Sequence, residues 1–349
     1  ILAATGGIVT FRPQIASLLS PPASQAPTCV AIDWSQTEQE IQKFAGSAIN
    51  RIYAPTAPDT RYRFRMMTDS DAIFSHVIYD GCSGKVLGSA NLAWMDWLVD
   101  FHHNLRDGRT GRTLAGWLRV MLLVSGVGGI LIWLESSPSI RRLLRIRAGF
   151  LMMRDMHSLA GVVAGVLLLV GSFTGLFLCF PQAMRAAVNV FAPLPADVRP
   201  PRPAKRTEGT PLAGLGQIIA SAQSAIPDGS WREIRMPEGP GNVQVRMWRA
   251  GDFRSLGNNV VTIDRITAAV VATDLYSTKS SANRFWQAMP GLHYGEWGGL
   301  PFRSIYGVAG FLAALLFPTG VLLWWLPKRQ TARRVVMAPA SVEEPVSTL

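Results

Sequence analysis

The chain has 349 residues, 48% of them apolar, and a mean hydropathy of +0.20, a balance that points away from an ordinary soluble domain. Its formal net charge of +11 would suit nucleic acid, but the basic residues gather elsewhere: Arg141, Arg142, Arg145, Arg147 and Arg154 crowd one short loop, and Lys328, Arg329, Arg333 and Arg334 follow the last apolar run. Short arginine-rich loops mark the cytoplasmic side of a membrane and are drawn to anionic lipid, and no zinc-finger, helix-turn-helix or RNA-binding pattern occurs, so nucleic acid is excluded as a partner and membrane lipid takes its place.

In chain order, residues 1–12 (ILAATGGIVTF and the residue after it) are apolar but too short to cross a bilayer, and read as the tail of a first transmembrane helix in preference to the remainder of a cleaved signal peptide. Residues 13–97 form a polar segment, with a helix expected at 36–50 and Ser35 as a candidate cap. Strands follow at 62–67 and 72–79, then a turn at Asp80-Gly81 and a strand at 85–88. Residues 98–135 make the second span around an apolar run at 114–134, and 136–155 the arginine-rich loop. Residues 156–181 make the third span, with its run at 157–180.

A second polar segment, 182–289, begins with a proline-rich stretch at 193–211 that reads as a stiff linker. It continues with a helix at 212–225 and strands at 231–236, 243–248, 259–264 and 269–273. VIYDGCSGKVLGS and VVTIDRITAAVVATD both read as strand, turn, strand, so two small helix-plus-sheet domains are expected to repeat. Residues 290–327 make the fourth span, with its run at 305–326, and 328–349 a cytoplasmic tail.

Each run of roughly 20 residues suffices for a hydrocarbon core of about 30 Å. With the arginine-rich loop inside, both polar segments share the outer side, which in a bacterium is the periplasm. Trp94, Trp97, Trp117, Trp286, Trp297, Trp324 and Trp325 cluster at span ends, where an aromatic belt belongs. Cys29 and Cys82 fall outside, where a disulfide is permitted; the spacing leaves open whether they pair or stay free. Cys179 ends an apolar run and is expected to pack there.

The span exits repeat: ATGGIVTFRPQI from Ala4, VGGILIWLES from Val127, FTGLFLCFPQAM from Phe173 and PTGVLLWWLPK from Pro318 each combine a small residue, an apolar step and an aromatic. Small residues let helices or a flat ligand approach closely. Aligning Gly129 with Gly320 and Trp133 with Trp324 also places His102 on His293, Gly108 on Gly299 and Arg112 on Arg303. The chain holds five histidines. His102 (with His103 beside it), His157 and His293 all stand near the entrance of a span, where imidazoles can hold haem iron inside a helical bundle.

His102 is preferred over its neighbour His103 as the partner of His293 at the outer end. His157 lies at the inner end, a bilayer's thickness away, and needs another partner. Arg112, Arg119 and Arg303 can pair with haem propionates or with lipid headgroups. Arg61, Arg63 and Arg65 share one strand face, read as solvated in preference to a site for an anionic substrate. His76 reads as structural.

FHHNLRDGRTGR from Phe101, RDMHSLAGVVAG from Arg154, FTGLFLCFP from Phe173 and GLHYGEWGGLPFRSIYG from Gly291 resemble the PepSY-associated transmembrane proteins, which include the inner-membrane ferrisiderophore reductases. The resemblance covers essentially the whole chain. It implies an integral membrane α-helical four-helix bundle with two periplasmic α+β PepSY-like domains and two b-type haems. It further implies that ferric siderophore is reduced in the periplasm to release Fe(II), with electrons from a cytoplasmic or quinol donor. His102, His293 and His157 would be the metal ligands, with Arg112 and Arg303 also binding the cofactor. Two other readings stand beside it: a PepSY protein that restrains or senses without redox work, and an iron-chelate transporter. The transporter expects polar or acidic residues at mid-span, which these runs lack.

Overall fold

The computed structural model describes residues 1–23, 29–68, 73–135, 139–148, 150–195, 211–237 and 241–336. Two short helices, α1 (Leu2–Val9) and α2 (Arg12–Leu18), precede α3 (Trp34–Ala45) and four strands: β1 (Ile49–Tyr53), β2 (Arg61–Met66), β3 (Ser75–Asp80) and β4 (Lys85–Ser89). Then come α4 (Ala93–Asn104), α5 (Gly108–Glu135), the single turn α6 (Ile140–Leu143), α7 (Phe150–Cys179) and α8 (Pro181–Phe191). The second half continues with α9 (Leu215–Ala225), β5 (Ser230–Arg235), β6 (Asn242–Trp248), β7 (Asn259–Asp264) and β8 (Val270–Asp274), and ends with α10 (Ser281–His293) and α11 (Gly299–Val336).

Three stretches are long and apolar enough to cross a membrane: Gly108–Glu135, Leu151–Cys179 and Glu296–Trp325. At 1.5 Å per residue each exceeds the roughly 30 Å of a hydrocarbon core. Val124 and Ile132 on α5 and Phe317 and Trp324 on α11 lie exposed, as side chains facing lipid would. α7 packs against both α5 and α11, and α1 lies against α11 and α4. Glycine permits that last contact. A Cβ on Gly310 would stand 2.6 Å from the Ala3 carbonyl oxygen, and one on Gly7 would stand 3.0 Å from that of Gly307.

The outer histidines do not belong to the spanning helices, contrary to the expected spans at 98–135 and 290–327. α4 ends one residue after His103, and Leu105, Arg106 and Gly108 take positive φ (49°, 62° and 46°) before α5 begins. α10 ends at His293, and Gly295 (64°) and Gly299 (62°) turn the chain into α11. Each turn separates the histidine-bearing helix from the spanning helix that follows it, and α4 packs on α5 and α10 on α7.

The strands form one antiparallel sheet in the order β4-β3-β2-β1-β5-β6-β7-β8. The two polar segments therefore meet edge to edge, with Ile52 of β1 opposite Ile234 of β5. The helix expected at 36–50 overlaps the first two residues of β1. Gly46 ends that helix earlier by taking the left-handed conformation at φ 66°, a C-terminal role suited to glycine. Asp33, not Ser35, caps its start, accepting from the backbone N–H of Ser35 (2.9 Å) and Gln36 (3.1 Å). α3 and α9 cover one face of the sheet over a core shared by both halves, including Ile41, Ile52 and Phe64 from the first and Leu215, Ile234 and Val261 from the second. Fully burying such a side chain contributes about 1.5–3 kcal/mol.

By the two-residue alternation of strands, Arg51, Arg63, Arg65, Glu233, Arg235 and Arg246 point to the other face. A Cys29–Cys82 disulfide ties the start of the first segment to the β3–β4 turn, across a sequence separation of 53. In the chain-entropy account, closing a loop of that size is worth about 4 kcal/mol. Residues 196–210 of the expected linker lie outside the described residues.

Candidate functional site

The structure brings His102 and His293 together at the sheet end of the bundle. Their ring centroids are 6.2 Å apart, with the planes inclined at 36°. A metal–imidazole bond of about 2 Å would set two rings on opposite sides of one ion roughly 6 Å apart by centroid, so the spacing fits an iron held between them.

What fixes the rings is a threonine behind each. His102 Nδ1 lies 3.0 Å from Thr5 Oγ1, and His293 Nδ1 lies 3.1 Å from Thr174 Oγ1. A hydroxyl has one hydrogen, and each threonine spends it on its own helix: Thr5 donates to the Leu2 carbonyl at 3.1 Å, Thr174 to the Val170 carbonyl at 2.7 Å. With that hydrogen on the helix carbonyl, the threonine oxygen accepts from Nδ1–H and Nε2 is the nitrogen that keeps its lone pair. A metal ligand needs that tautomer.

His157 repeats the device at the opposite end. Its Nδ1 lies 2.8 Å from Thr319 Oγ1, which donates to the Leu315 carbonyl at 2.6 Å. In all three cases glycine follows the threonine and makes room for the ring. A Cβ on Gly6 would meet His102 Cε1 at 2.9 Å, one on Gly175 would meet His293 Cε1 at 3.1 Å, and one on Gly320 would meet His157 Cε1 at 3.4 Å. The sequence signal for it is the Thr-Gly pair that recurs in three of the four exits, at 5–6, 174–175 and 319–320. His157 and Thr174 stand on the same helix roughly 25 Å apart at 1.5 Å per residue, so His157 cannot join the His102–His293 pair. Among the described residues no second imidazole faces it.

His103 neighbours His102 at 5.7 Å between ring centroids and lines the same cavity. Arg119, buried on α5, donates to the Ala115 carbonyl (2.9 Å) and to Cys179 Sγ (3.3 Å). Its Nη2 lies 3.5 Å from His102 Nε2 and donates to the His102 carbonyl at 3.4 Å. Arg303 is buried, donates to the Gln14 side chain, and has an Nε with no partner. Arg112 does not reach the pair: it is exposed and donates to Asn104 Oδ1 at 3.0 Å. The sequence equivalence of Arg112 and Arg303 therefore does not extend to their surroundings.

His76 sits in a network that the sequence did not disclose. Its Nε2 meets Asp96 Oδ2 at 2.7 Å, and Arg12 donates to Asp96 Oδ1 at 2.7 Å. Burial pushes the His76 pKa down despite the carboxylate. Burial alone would raise that of Asp96, but the His76 hydrogen bond and Arg12 hold it below the usual range. Asp96 lies on α4, less than two turns before His102, so the network ties the sheet and α2 to the helix that carries one of the paired histidines.

Between the bundle and the bare face of the sheet lies a cavity of about 1080 Å³, at the upper end of ligand pockets, which run to roughly 1,000 Å³. His102, His103, His293, Arg119 and Arg303 form its floor, and Arg51, Arg63, Arg65, Arg235 and Arg246 its roof. At the centre of the roof, Glu233, only 1% exposed, is shared by Arg51 (3.2 Å), Arg235 (3.0 Å) and Arg246 (3.1 Å). The expected solvated face of Arg61, Arg63 and Arg65 is not found. Arg61 is held by Asp59 (2.8 Å) and by the Pro21 carbonyl, Arg63 stacks 4.0 Å over Tyr53, and Arg65 stacks 3.7 Å over Phe74.

The curated proteins include no match to this chain. The family model for the PepSY-associated TM region matches residues 1–326, and that span takes in the three membrane-capable helices, the histidine-bearing helix ends and the whole antiparallel sheet. The chain belongs to the PepSY-associated transmembrane family.

Proposed function

We propose that the protein is an oxidoreductase of the bacterial inner membrane that carries electrons outward and reduces a ferric siderophore, or another ferric chelate, in the periplasm. One observation carries this reading. Three histidines at two ends of a membrane bundle each set Nδ1 against a threonine hydroxyl of another helix, which leaves Nε2 as the nitrogen for a metal.

His102 and His293 are the residues to hold one b-type haem, and His157 is one ligand for a second. A haem held by two imidazoles supplies one-electron chemistry and leaves no open position for oxygen. The protein's own part is to fix ring orientation through Thr5, Thr174 and Thr319, to admit the rings beside glycine, and to exclude water from the bundle. Arg119 and Arg303 on the floor suit propionate carboxylates. The arginine-rich loop before α7 orients the sheet side outward. A chelate in the cavity then lies directly above the histidine pair. Fe(II) is softer than Fe(III) and binds oxygen cages less tightly, so reduction releases the metal. The electron donor is a cytoplasmic reductant or a quinol.

Purified full-length protein, reduced with dithionite and freed of excess reductant, should transfer its electrons to a ferric chelate under argon, read with a chromogenic Fe(II) trap. A His102→Ala/His293→Ala double variant should not. A colourless preparation with no such activity would favour the non-redox binding protein.

A further inference from the structure

We propose that the cavity roof selects multiply anionic ferric chelates, those presenting carboxylate or catecholate oxygens, through Arg63 and Arg65. This rests on the reading that the cavity takes a ferric chelate, and it names which chemical class of chelate. The argument is one of charge left uncompensated. Six of the arginines around the cavity reach a carboxylate, three of them sharing one, while on the floor Arg119 and Arg303, and beside the roof Arg232, reach none among the described residues. Arg61 has Asp59, Arg254 has Glu296, Arg12 has Asp96, and Arg51, Arg235 and Arg246 divide Glu233. Arg63 and Arg65 have none among the described residues.

Arg65 is 8% exposed, and its hydrogen-bond acceptor is the neutral Asn50 Oδ1. Arg63 has the Tyr53 ring beneath it and His76 Nδ1 at 3.4 Å. Burial draws the Arg65 pKa down to about 10, as expected of a charge short of compensation. Leaving a guanidinium desolvated and unpaired is costly, so a roof with two of them suits a ligand that brings the missing negative charge.

Geometry adds specificity. Each guanidinium sits over an aromatic ring, Tyr53 or Phe74, and among the described residues no acceptor takes Nη1 of Arg65 or Nε and Nη2 of Arg63. A planar guanidinium with free edges is built for the fork of a carboxylate or the paired oxygens of a catecholate. Propionates on the floor would engage Arg119 and Arg303 and leave the roof pair unserved. A chelate carrying a net positive charge would meet like charge there and be disfavoured.

Redox-inert gallium(III) complexes test this apart from any electron transfer. The full chain in detergent is titrated calorimetrically with triply anionic gallium tris-catecholate and with a singly cationic gallium trihydroxamate bearing an ammonium group. The anionic complex should bind at least tenfold more tightly, and its affinity should fall as salt is raised. Arg63→Gln with Arg65→Gln should abolish the preference, and Arg63→Lys with Arg65→Lys should keep part of it. Arg249→Gln, whose partner is the exposed Asp228, should leave it unchanged.

Equal affinity for the two complexes, or a preference that survives the double glutamine variant, would overturn the proposal. Should that variant fail to fold, the wild-type preference and its salt dependence still decide. Preference without reduction of the matching iron complexes would remove the oxidoreductase reading and leave this one standing. Reduction without preference would do the reverse.

Discussion

Replacing Thr5 by valine keeps the shape of the side chain and removes only the oxygen that accepts from His102 Nδ1. The structure sets the size of the effect. The contact is 3.0 Å long and buried, so its loss leaves a desolvated N–H without a partner, at about 1–3 kcal/mol. The ring also loses the constraint that keeps its proton on Nδ1 and its lone pair on Nε2. Losing an outer partner of a ligating histidine typically weakens metal retention by about 10–100-fold, a range that agrees with the energy, since 1.4 kcal/mol is tenfold. Thr174→Val should act alike through His293, and Thr319→Val should weaken the His157 site alone. Thr113→Val is the matched control, because Thr113 makes the same bond to a helix carbonyl (Arg109, 3.0 Å) on an exposed face with no histidine behind it. Haem-depleted protein is titrated with hemin and the affinity read from the Soret band. If Thr5→Val and Thr174→Val bind hemin as tightly as Thr113→Val, the tautomer argument fails.

Two further outcomes follow from packing and charge. Folded His76 has its pKa pushed below the ordinary value of about 6.5, so the unfolded chain takes up the proton first. Stability should therefore fall as pH drops below about 6.5, and Asp96, whose pKa is also depressed, adds further loss at lower pH. Melting temperature followed from pH 7.5 down to 5 should decline more steeply for wild type than for His76→Gln, and parallel profiles would contradict the assignment. Gly310→Ala places a Cβ 2.6 Å from the Ala3 carbonyl, a backbone atom that cannot rotate away. It should cost about 1–3 kcal/mol and loosen α1 together with Thr5. Gly128→Ala, where a Cβ would meet nothing within 4 Å, should be silent in a thermal unfolding assay.

Much of the membrane half was legible because apolar runs and arginine-rich loops obey rules that need no tertiary context. The runs at 114–134 and 305–326 fall inside α5 and α11, and that at 157–180 ends one residue beyond α7. The helix breaks after His103 and His293 were not, since positive-φ turns at Leu105 and Arg106 leave no mark in hydropathy. β1 was not legible either, because five residues, Ile49–Tyr53, are too few for a clear two-residue period, and their strand character comes from pairing on both sides with β2 and β5. Arg63 and Arg65 read as a solvated face because strand alternation reports sidedness and not what lies opposite. That the opposite side lines a cavity above the bundle is a fact of tertiary packing. Thr5, Thr174 and Thr319 were readable in principle from the repeated Thr-Gly, and meaningful only once each was seen behind a histidine.

Everything turns on paired imidazoles holding haem. The most direct measurement is haem per chain, by pyridine haemochrome, on the purified full-length protein and on His102→Ala, His293→Ala and His157→Ala. The account predicts a pigmented wild type with a low-spin bis-imidazole spectrum. His102→Ala and His293→Ala should each lose the same haem, and His157→Ala a different one. A colourless wild type, or haem content untouched by all three substitutions, would contradict it.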